Sequence, residues 1–203
     1  MQEIFVIDDF YREPERVRQF ALELDYENQS TPNYPGFQST VPCLSEAVAN
    51  KFATVVGGEI DWAWSRDQMG FFRYIYAGGK SRIKVHTDMN DWTVVVYLAP
   101  HCPANVGTRF YRHRATQLSG PPTATQMAQF GYTSFTDYEE KLIEKDTLVE
   151  AAWEVIDEVD YRFNRCIIFR ADRRFHSHAE GYGYDPATAR LTQNFFFNVK
   201  KEA

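Results

Sequence analysis

Two short stretches, far apart in the chain, carry the residues best suited to metal chemistry. The first is His86-Thr87-Asp88 and the second is His176-Ser177-His178. Because a strand places residues i and i+2 on the same face, we expect His86 and Asp88 to present an imidazole beside a carboxylate. One histidine of the second stretch would complete a set of two histidines and one carboxylate. Such a set caps one face of an octahedral Fe(II) ion and leaves three positions open.

Each of these residues also has an ordinary structural interpretation. His86 and Asp88 are compatible with a surface ion pair, and His176 and His178 with polar positions at a strand end. Arg190, further along the chain, is compatible with a solvated charge. The order of the features favours a site: His-x-Asp is followed after about ninety residues by histidine, and then by Arg190 just before an apolar strand.

The composition excludes several classes of protein. A chain of 203 residues with 44% apolar and 16% aromatic residues is long enough for one domain with a substantial core. A net charge of −6 makes a nucleic-acid partner unexpected, because such proteins neutralise phosphates with basic residues. No stretch approaches the roughly 18 apolar residues of a membrane span, so we expect no membrane partner.

The cysteines and the first residues indicate the compartment. The three cysteines, Cys43, Cys102 and Cys166, are odd in number and show no paired spacing. We therefore expect reduced thiols in a cytoplasmic protein. Residues 1–9 lack a basic region and a long apolar run, so we expect no signal peptide.

The N-terminal part of the sequence predicts a short strand and two helices. The strand covers residues 4–7, and an amphipathic helix opens at Pro14. The second helix spans residues 45–56, with Ser45 as its N-cap and glycines as its stop. Residues 28–42, polar and containing prolines, predict a loop.

The remainder of the sequence predicts mostly short strands. Predicted strands cover residues 69–76, 81–88, 92–98, 107–111, 153–159, 166–169 and 191–199, with another at the second histidine pair. Thr136 and Glu139 form a capping-box pattern that predicts a helix over 137–152. The patternless segment 112–132 predicts a mobile loop that covers the site or contacts the substrate. His113 lies in loop-like sequence at its start, so we expect it at the surface. Two helices followed by many strands are typical of a helix-backed antiparallel sandwich.

The strand region resembles a known enzyme family. Its motifs run in one order: Tyr76 and a Gly-Gly turn, His86-Thr87-Asp88, Val106-Gly107-Thr108, an apolar strand, Phe175-His176, and Arg190-Leu191-Thr192. This order is similar to that of the Fe(II)/2-oxoglutarate-dependent oxygenases, most closely their prolyl-hydroxylase-like branch and its small bacterial members. The resemblance covers about residues 69–199.

The resemblance implies a fold and an architecture. The fold would be mainly β with flanking helices, a double-stranded β-helix of the jelly-roll, cupin-like kind. Residues 1–203 would form a single domain of this oxygenase type. Its jelly-roll core would occupy about residues 69–199, and the helices of about residues 1–60 would support it.

The resemblance also implies the ligands. Iron would be held by His86, Asp88 and His176, and dioxygen would take the last open iron position. The co-substrate 2-oxoglutarate would bind iron through its 1-carboxylate and keto oxygen. Its far carboxylate would pair with Arg190, because a guanidinium grips a carboxylate with two parallel hydrogen bonds. Thr192 and Tyr76 would add hydrogen bonds to the co-substrate.

One ligand assignment has an alternative. His178 lies on the same strand face as His176 and closer to Arg190 in the sequence. We favour His176 because it follows an apolar strand and Phe175, as the distal iron ligand of the family does. The halogenating members of the family lack the carboxylate that Asp88 supplies, so its presence favours hydroxylation or a related oxidation.

The resemblance implies an enzyme, a dioxygenase that hydroxylates a small molecule or an amino-acid or peptide side chain and releases succinate and CO2. Two alternatives remain. One is an iron-binding jelly-roll protein that does not use 2-oxoglutarate, and Arg190 discriminates against it. The other is a non-catalytic binding protein of the same fold, and the intact set of His86, Asp88 and His176 argues against it.

Overall fold

The computed structural model describes residues 2–29, 31, 33–103, 106–178 and 180–201. Ten strands form two antiparallel sheets within this part of the chain. The strands are β1 (Ile4–Ile7), β2 (Tyr26–Asn28), β3 (Phe37–Ser39), β4 (Met69–Ile75), β5 (Trp92–Tyr97), β6 (Thr108–His113), β7 (Trp153–Val159), β8 (Cys166–Arg170), β9 (Phe175–His178) and β10 (Arg190–Phe197).

Five α-helices flank the sheets. They are α1 (Pro14–Leu22), α2 (Glu46–Val56), α3 (Trp62–Ser65), α4 (Ala124–Phe130) and α5 (Phe135–Tyr138). The first two begin where the sequence predicted. Proline stands at the start of α1, and the Ser45 side chain accepts a hydrogen bond from the amide of Val48 at the start of α2. Gly57 ends α2 in the left-handed region, at φ 69°.

The two sheets form a jelly roll. The larger has the order β1-β8-β5-β10-β4-β3-β2, and the smaller has the order β7-β6-β9. Side chains of both sheets, among them Val95, Phe110 and Ile167, pack into one apolar cluster between them. The mainly β, jelly-roll fold that the sequence predicted is therefore the fold observed. No helix in the described residues is both long and apolar enough to cross a membrane.

Strand β10 divides its side chains between the core and an open cavity. Leu191, Phe195 and Phe197 join the core on the side of α1 and α2. The alternate residues of the strand line the cavity instead. This period of two is expected of a strand that has a packed face and an open face. It decides which residues of β10 can reach a ligand.

Several predicted elements differ in the structure. The predicted loop over 28–42 contains β3, which pairs with β4. Residues 81–88 do not form a regular strand, and their pairing is the single bridge between His86 and His176. Strand β3 is only three residues long and pairs with both β2 and β4. The bridge partner of His86 lies ninety residues further along the chain, so the local pattern carried little signal for either segment.

Two predictions about the middle of the chain were wrong in part. The segment 112–132 contains α4, which starts with a capping box of Thr123 and Gln126. The helix predicted over 137–152 begins earlier, at Phe135, with Ser134 as its cap. It continues as a π-helical stretch over Glu139–Glu144. The capping box therefore lies in the segment that the sequence left without a pattern.

Candidate metal centre and cavity

The structure brings His86, Asp88 and His176 together. The Nε2 atom of His86 lies 3.6 Å from one carboxylate oxygen of Asp88, and the Nε2 atom of His176 lies 3.5 Å from the other. The ligand atoms of the three residues all lie within 4.8 Å of one another. Three donor atoms at this mutual spacing can converge on one ion.

Backbone hydrogen bonds hold the three residues in place. His86 and His176 exchange two of them, at 3.1 and 2.9 Å. The amide of Asp88 donates to the carbonyl of Ala171 at 3.0 Å. A short irregular segment is thus fixed to β9 and to the turn before it. The sequence predicted that the side chains of His86 and Asp88 point to the same side of a strand. They do point to the same place, but backbone hydrogen bonds to β9 and to the preceding turn hold them there, and not a regular strand.

The protonation of the two imidazoles follows from their neighbours. The Nδ1 atom of His86 lies 3.0 Å from the carbonyl of Lys84, and that of His176 lies 3.0 Å from the carbonyl of Arg174. A carbonyl only accepts, so each Nδ1 must carry the proton. In the neutral rings, both Nε2 atoms therefore present lone pairs towards the common point. This arrangement is typical of metal-binding histidines.

A second layer of polar groups orients Asp88. The hydroxyl of Thr93 donates to the carboxylate at 2.6 Å, and the amide nitrogen of Asn90 donates to that hydroxyl at 2.9 Å. Asn90 and Thr93 are both buried. Sequence reasoning missed this pair, and its only local signal is that two hydrogen-bonding residues closely follow Asp88.

The electrostatics of the cluster favour neutral imidazole and ionised carboxylate. Burial and the nearby His176 lower the pKa of His86 from 6.5 to about 4. Burial opposes the ionisation of Asp88, but the two histidines and the Thr93 hydroxyl outweigh it and lower the pKa of Asp88. At neutral pH the site therefore offers the forms that coordinate a divalent cation.

His178 lies in the same cavity but outside the cluster. Its Nε2 atom lies 3.1 Å from the Ser81 hydroxyl and 3.2 Å from the carbonyl of Asn33. These contacts direct the ring nitrogen towards the loop that precedes β3. Of the two histidines that the sequence left open, the geometry favours His176 as the metal ligand.

The cluster opens into a cavity of about 490 Å³. This volume falls in the usual range for small-molecule sites. Every second residue of β10 lines it, namely Arg190, Thr192, Asn194 and Phe196. Strand β5 contributes Thr93 and Val95, which face Phe196 and Asn194 across the ladder.

Arg190 is a buried cation in the cavity that lacks a hydrogen-bond partner at its Nε atom among the described residues. The residue is 3% exposed. Its guanidinium lies 5.9 Å from the centre of the Tyr97 ring. A buried guanidinium that lacks an anion is costly, so the position favours an anionic ligand.

Two other predicted co-substrate contacts differ in their placement. Thr192 lines the cavity, but its hydroxyl donates to Asn194 at 2.7 Å. Tyr76 is not among the described residues that line the cavity, and its ring packs against Phe37 and Tyr74. Tyr76 follows the last residue of β4, where its ring joins the aromatic packing on the core side. The predicted contact of Tyr76 with the co-substrate is therefore not supported.

Two further expectations need correction. No described residue of the segment 112–132 lines the cavity. Leu118 and Met127 of this segment pack instead into a separate apolar cluster with Trp153. His113, expected at the surface, is 3% exposed and lies 3.2 Å from the carboxylate of Asp146. Burial by residues far along the chain explains both differences.

One family covers more than half of the chain. It is the family of unknown function DUF6445, which matches residues 83–197. The chain belongs to this family. The matched range contains all three residues of the metal cluster and Arg190. A comparison with curated protein sequences gives no significant match.

Two proteins with solved structures, HygX and TqaL, are similar to this chain in fold. HygX from Streptomyces hygroscopicus with nickel and 2-oxoglutarate bound is 13% identical, with a TM-score of 0.55 over 97% of this chain and 83% of HygX. The same protein with hygromycin B also bound is 12% identical, with a TM-score of 0.54 over the same shares. The Fe(II)/(alpha)ketoglutarate-dependent dioxygenase TqaL is 12% identical, with a TM-score of 0.50 over 98% of this chain and 84% of TqaL.

At these identities the likeness concerns the fold. The chain thus shares its jelly roll with HygX and with the Fe(II)/(alpha)ketoglutarate-dependent dioxygenase TqaL, as the family resemblance implied. The placement near the prolyl-hydroxylase-like branch stays a prediction.

Proposed function

We propose that this DUF6445 protein is an Fe(II)- and 2-oxoglutarate-dependent dioxygenase that hydroxylates a small molecule or an amino-acid or peptide side chain, releasing succinate and CO2. One observation carries the proposal: a single cavity contains both the cluster of His86, Asp88 and His176 and the unpaired guanidinium of Arg190. The first is a metal-binding set and the second is a carboxylate-binding group.

The donor set fits iron. Two neutral imidazoles and one carboxylate are the ligands of non-haem Fe(II) sites that keep open positions. We assign His86, Asp88 and His176 as these ligands. The carbonyls of Lys84 and Arg174 keep the proton of each imidazole on Nδ1, so that Nε2 is free for the metal. The hydroxyl of Thr93 orients the carboxylate of Asp88. When bound, Fe(II) with 2-oxoglutarate supplies the oxidising chemistry by activating dioxygen.

The far end of the cavity fits a dicarboxylate. Arg190 offers a guanidinium whose charge no described carboxylate neutralises, and a carboxylate can accept two parallel hydrogen bonds from it. Thr192 lies two residues along the same face of β10 and can donate to the same group if its hydroxyl turns away from Asn194. Tyr76 has no place in this proposal.

One wall of the cavity near the metal cluster is apolar. The ring of Phe169 lies 4.8 Å from that of His176, and Val95 and Phe196 complete an apolar wall. An apolar wall of this kind strengthens electrostatic interactions inside the cavity. HygX, whose structure with hygromycin B has the same fold, gives one example of a small-molecule ligand on this architecture.

Anaerobic binding followed by turnover tests the proposal. Calorimetry should show one Fe(II) site, and 2-oxoglutarate should bind only when the metal is present. With air, succinate release should rise when the correct amino acid, peptide or small molecule is added. Asp88→Asn keeps the side-chain volume and should lose both metal binding and turnover.

The same experiments separate the alternatives. Fe(II) binding without 2-oxoglutarate binding would favour an iron-binding jelly roll that does not use the co-substrate. Binding of both without succinate release for any tested substrate would favour a non-catalytic binding protein.

We also infer a single domain in a reducing, cytoplasmic setting. Strands β1, β2 and β3 belong to the same sheet as β4 and β10, which supports one unit rather than a separate N-terminal support. Cys43, Cys102 and Cys166 are all free thiols, which supports a reducing compartment.

A further inference from the structure

A second arginine lines the same cavity. Arg73 on β4 lies directly opposite Thr192 in the ladder between β4 and β10. Among the described residues, neither Arg73 nor Arg190 forms an ion pair with a carboxylate. Asp88 is the only carboxylate among the described residues that line the cavity, and the proposed function assigns it to the metal. Two guanidiniums therefore face one cavity without an anion for either.

The surroundings of Arg73 fix its guanidinium in one place. Its central carbon lies 4.9 Å from the ring centre of Tyr34 and 5.0 Å from that of Phe196. Its Nε atom donates to the side-chain oxygen of Gln38 at 2.7 Å. The phenol of Tyr34 is itself fixed by its contacts with the carbonyls of Phe37 and Tyr74, at 3.2 Å each. The two terminal nitrogens of Arg73 are thus preorganised for a ligand.

The two arginines occupy different parts of the cavity. Arg190 is the first residue of β10, whereas the Arg73 side chain reaches towards Phe196 near the other end of that strand. Phe196 lies opposite Thr93, whose hydroxyl contacts the metal-site carboxylate. Arg73 is therefore placed on the metal side of the cavity, where a substrate must present the group to be oxidised.

The charged groups of the cavity leave a net positive charge after the co-substrate binds. A divalent ion contributes two positive charges, the two arginines contribute two more, and Asp88 contributes one negative charge, which leaves three net positive charges. A bound 2-oxoglutarate cancels two of them. Arg73 is half-buried. Opposite charges attract more strongly in such a cavity than in bulk water, so the remaining charge favours an anionic substrate.

We propose that Arg73 binds a carboxylate of the substrate, so that the enzyme oxidises a small carboxylic acid rather than a neutral molecule. The assignment rests on the proposed function, because it gives the other guanidinium to 2-oxoglutarate. The Nε atom of Arg73 already donates to Gln38. The two terminal nitrogens of its planar guanidinium can therefore donate to the two oxygens of a carboxylate. Gln38, Tyr34 and Phe196 are positioning residues that hold the guanidinium of Arg73.

Paired ligands test the assignment without turnover. Protein loaded with Ni(II) and 2-oxoglutarate is titrated with N-acetyl-L-amino acids and with the corresponding carboxamides, which differ only in charge at the carboxyl group. We expect acids to bind more tightly than their amides. In Arg73→Gln this preference should fall by roughly ten- to hundredfold, as expected when a charge-assisted pair is lost. Arg73→Lys should keep part of it, and 2-oxoglutarate affinity should stay unchanged in both variants.

Arg173→Gln is the matched control. Arg173 is an exposed arginine in the turn before β9, and its side chain is 61% exposed. The variant removes the same group outside the cavity and should keep the full preference for acids.

Three results would overturn the assignment. The first is that protein which binds 2-oxoglutarate binds acids and amides with equal affinity, or binds neither. The second is a loss of 2-oxoglutarate binding in Arg73→Gln, which would make Arg73 the co-substrate anchor. The third is stronger, Arg73-dependent binding of phosphate monoesters than of acids.

The two proposals fail in different ways. If the parent protein binds no 2-oxoglutarate with metal present, the proposed oxygenase function fails. A preference for acids that Arg73→Gln abolishes would still support the carboxylate site in that case.

Discussion

His86 and His176 are joined by a single antiparallel bridge: each amide donates to the other carbonyl, and the ring centres lie 4.6 Å apart. The residues are ninety positions apart in the sequence, and only one of them belongs to a regular strand. The bridge fixes the separation of the two imidazoles through the backbone. The relative position of these two candidate ligands therefore depends on β9 as well as on the segment around His86.

Removing either bridged imidazole should abolish metal binding. We expect His86→Ala and His176→Ala to bind Fe(II) about a hundredfold more weakly or worse in anaerobic titrations, since each removes one of the three proposed ligands. His178→Ala is the matched control, because His178 lies in the same cavity and contacts Ser81. Loss of binding in His178→Ala, with retention in His176→Ala, would reverse the ligand assignment.

Removing the guanidinium of Arg190 should weaken 2-oxoglutarate and spare the metal. Arg190→Ala should cost about 2–4 kcal/mol of co-substrate binding free energy, because a charge-assisted hydrogen-bonded pair loses one side. Fe(II) affinity should hardly change, since Arg190 is not in the metal cluster. Anaerobic calorimetry measures both values. Unchanged 2-oxoglutarate affinity in the variant would show that Arg190 is not the anchor.

Removing the hydroxyl of Thr93 should weaken metal binding without removing a ligand. Thr93→Val keeps the shape of the side chain but loses the hydrogen bond to Asp88. Groups that orient metal ligands are typically worth about ten- to hundredfold in affinity. Fe(II) titration of Thr93→Val checks this, with Thr116→Val as a control hydroxyl outside the cavity. Equal affinity in parent and Thr93→Val would mean that Asp88 needs no orientation from Thr93.

The metal-free protein should lose stability in mild acid through His86. Because the folded state lowers its pKa from 6.5 to about 4, the unfolded state binds the proton more readily. The contribution is present above pH 6.5 and is lost as the pH falls towards 4. Its size is about 3 kcal/mol at most. The carboxylate of Asp88 stays ionised over this range because its own pKa is lowered.

Urea unfolding of chelator-treated protein at pH 7 and pH 5 measures this effect. The stability difference between the two pH values should shrink in His86→Gln. It should persist in His101→Gln, because His101 is exposed. An identical pH dependence in parent and His86→Gln would show that another group carries the acid sensitivity.

Local sequence pattern was sufficient for most of the strands. Strand β5 is a continuous apolar and β-branched run, all six of its residues are buried, and it lies between β8 and β10 in the larger sheet. The bounds predicted for β7 match the structure, and those for β4, β8 and β10 differ by a few residues. Helix α2 was also predictable, because its cap and its glycine stop lie next to it in the sequence.

The candidate ligands were likewise visible in the sequence, since residue type and order alone pointed to His86, Asp88, Arg190 and one of two later histidines. Tertiary structure brought His176 to His86 and Asp88, whereas the hydrogen bonds of His178 direct it to Ser81 and Asn33. It also placed Tyr76 in the core packing and brought Arg73 to the cavity. The sequence records which side chains exist and their local period. Which of them meet across a cavity depends on strand order and register, and these are set by contacts between residues far apart in the chain.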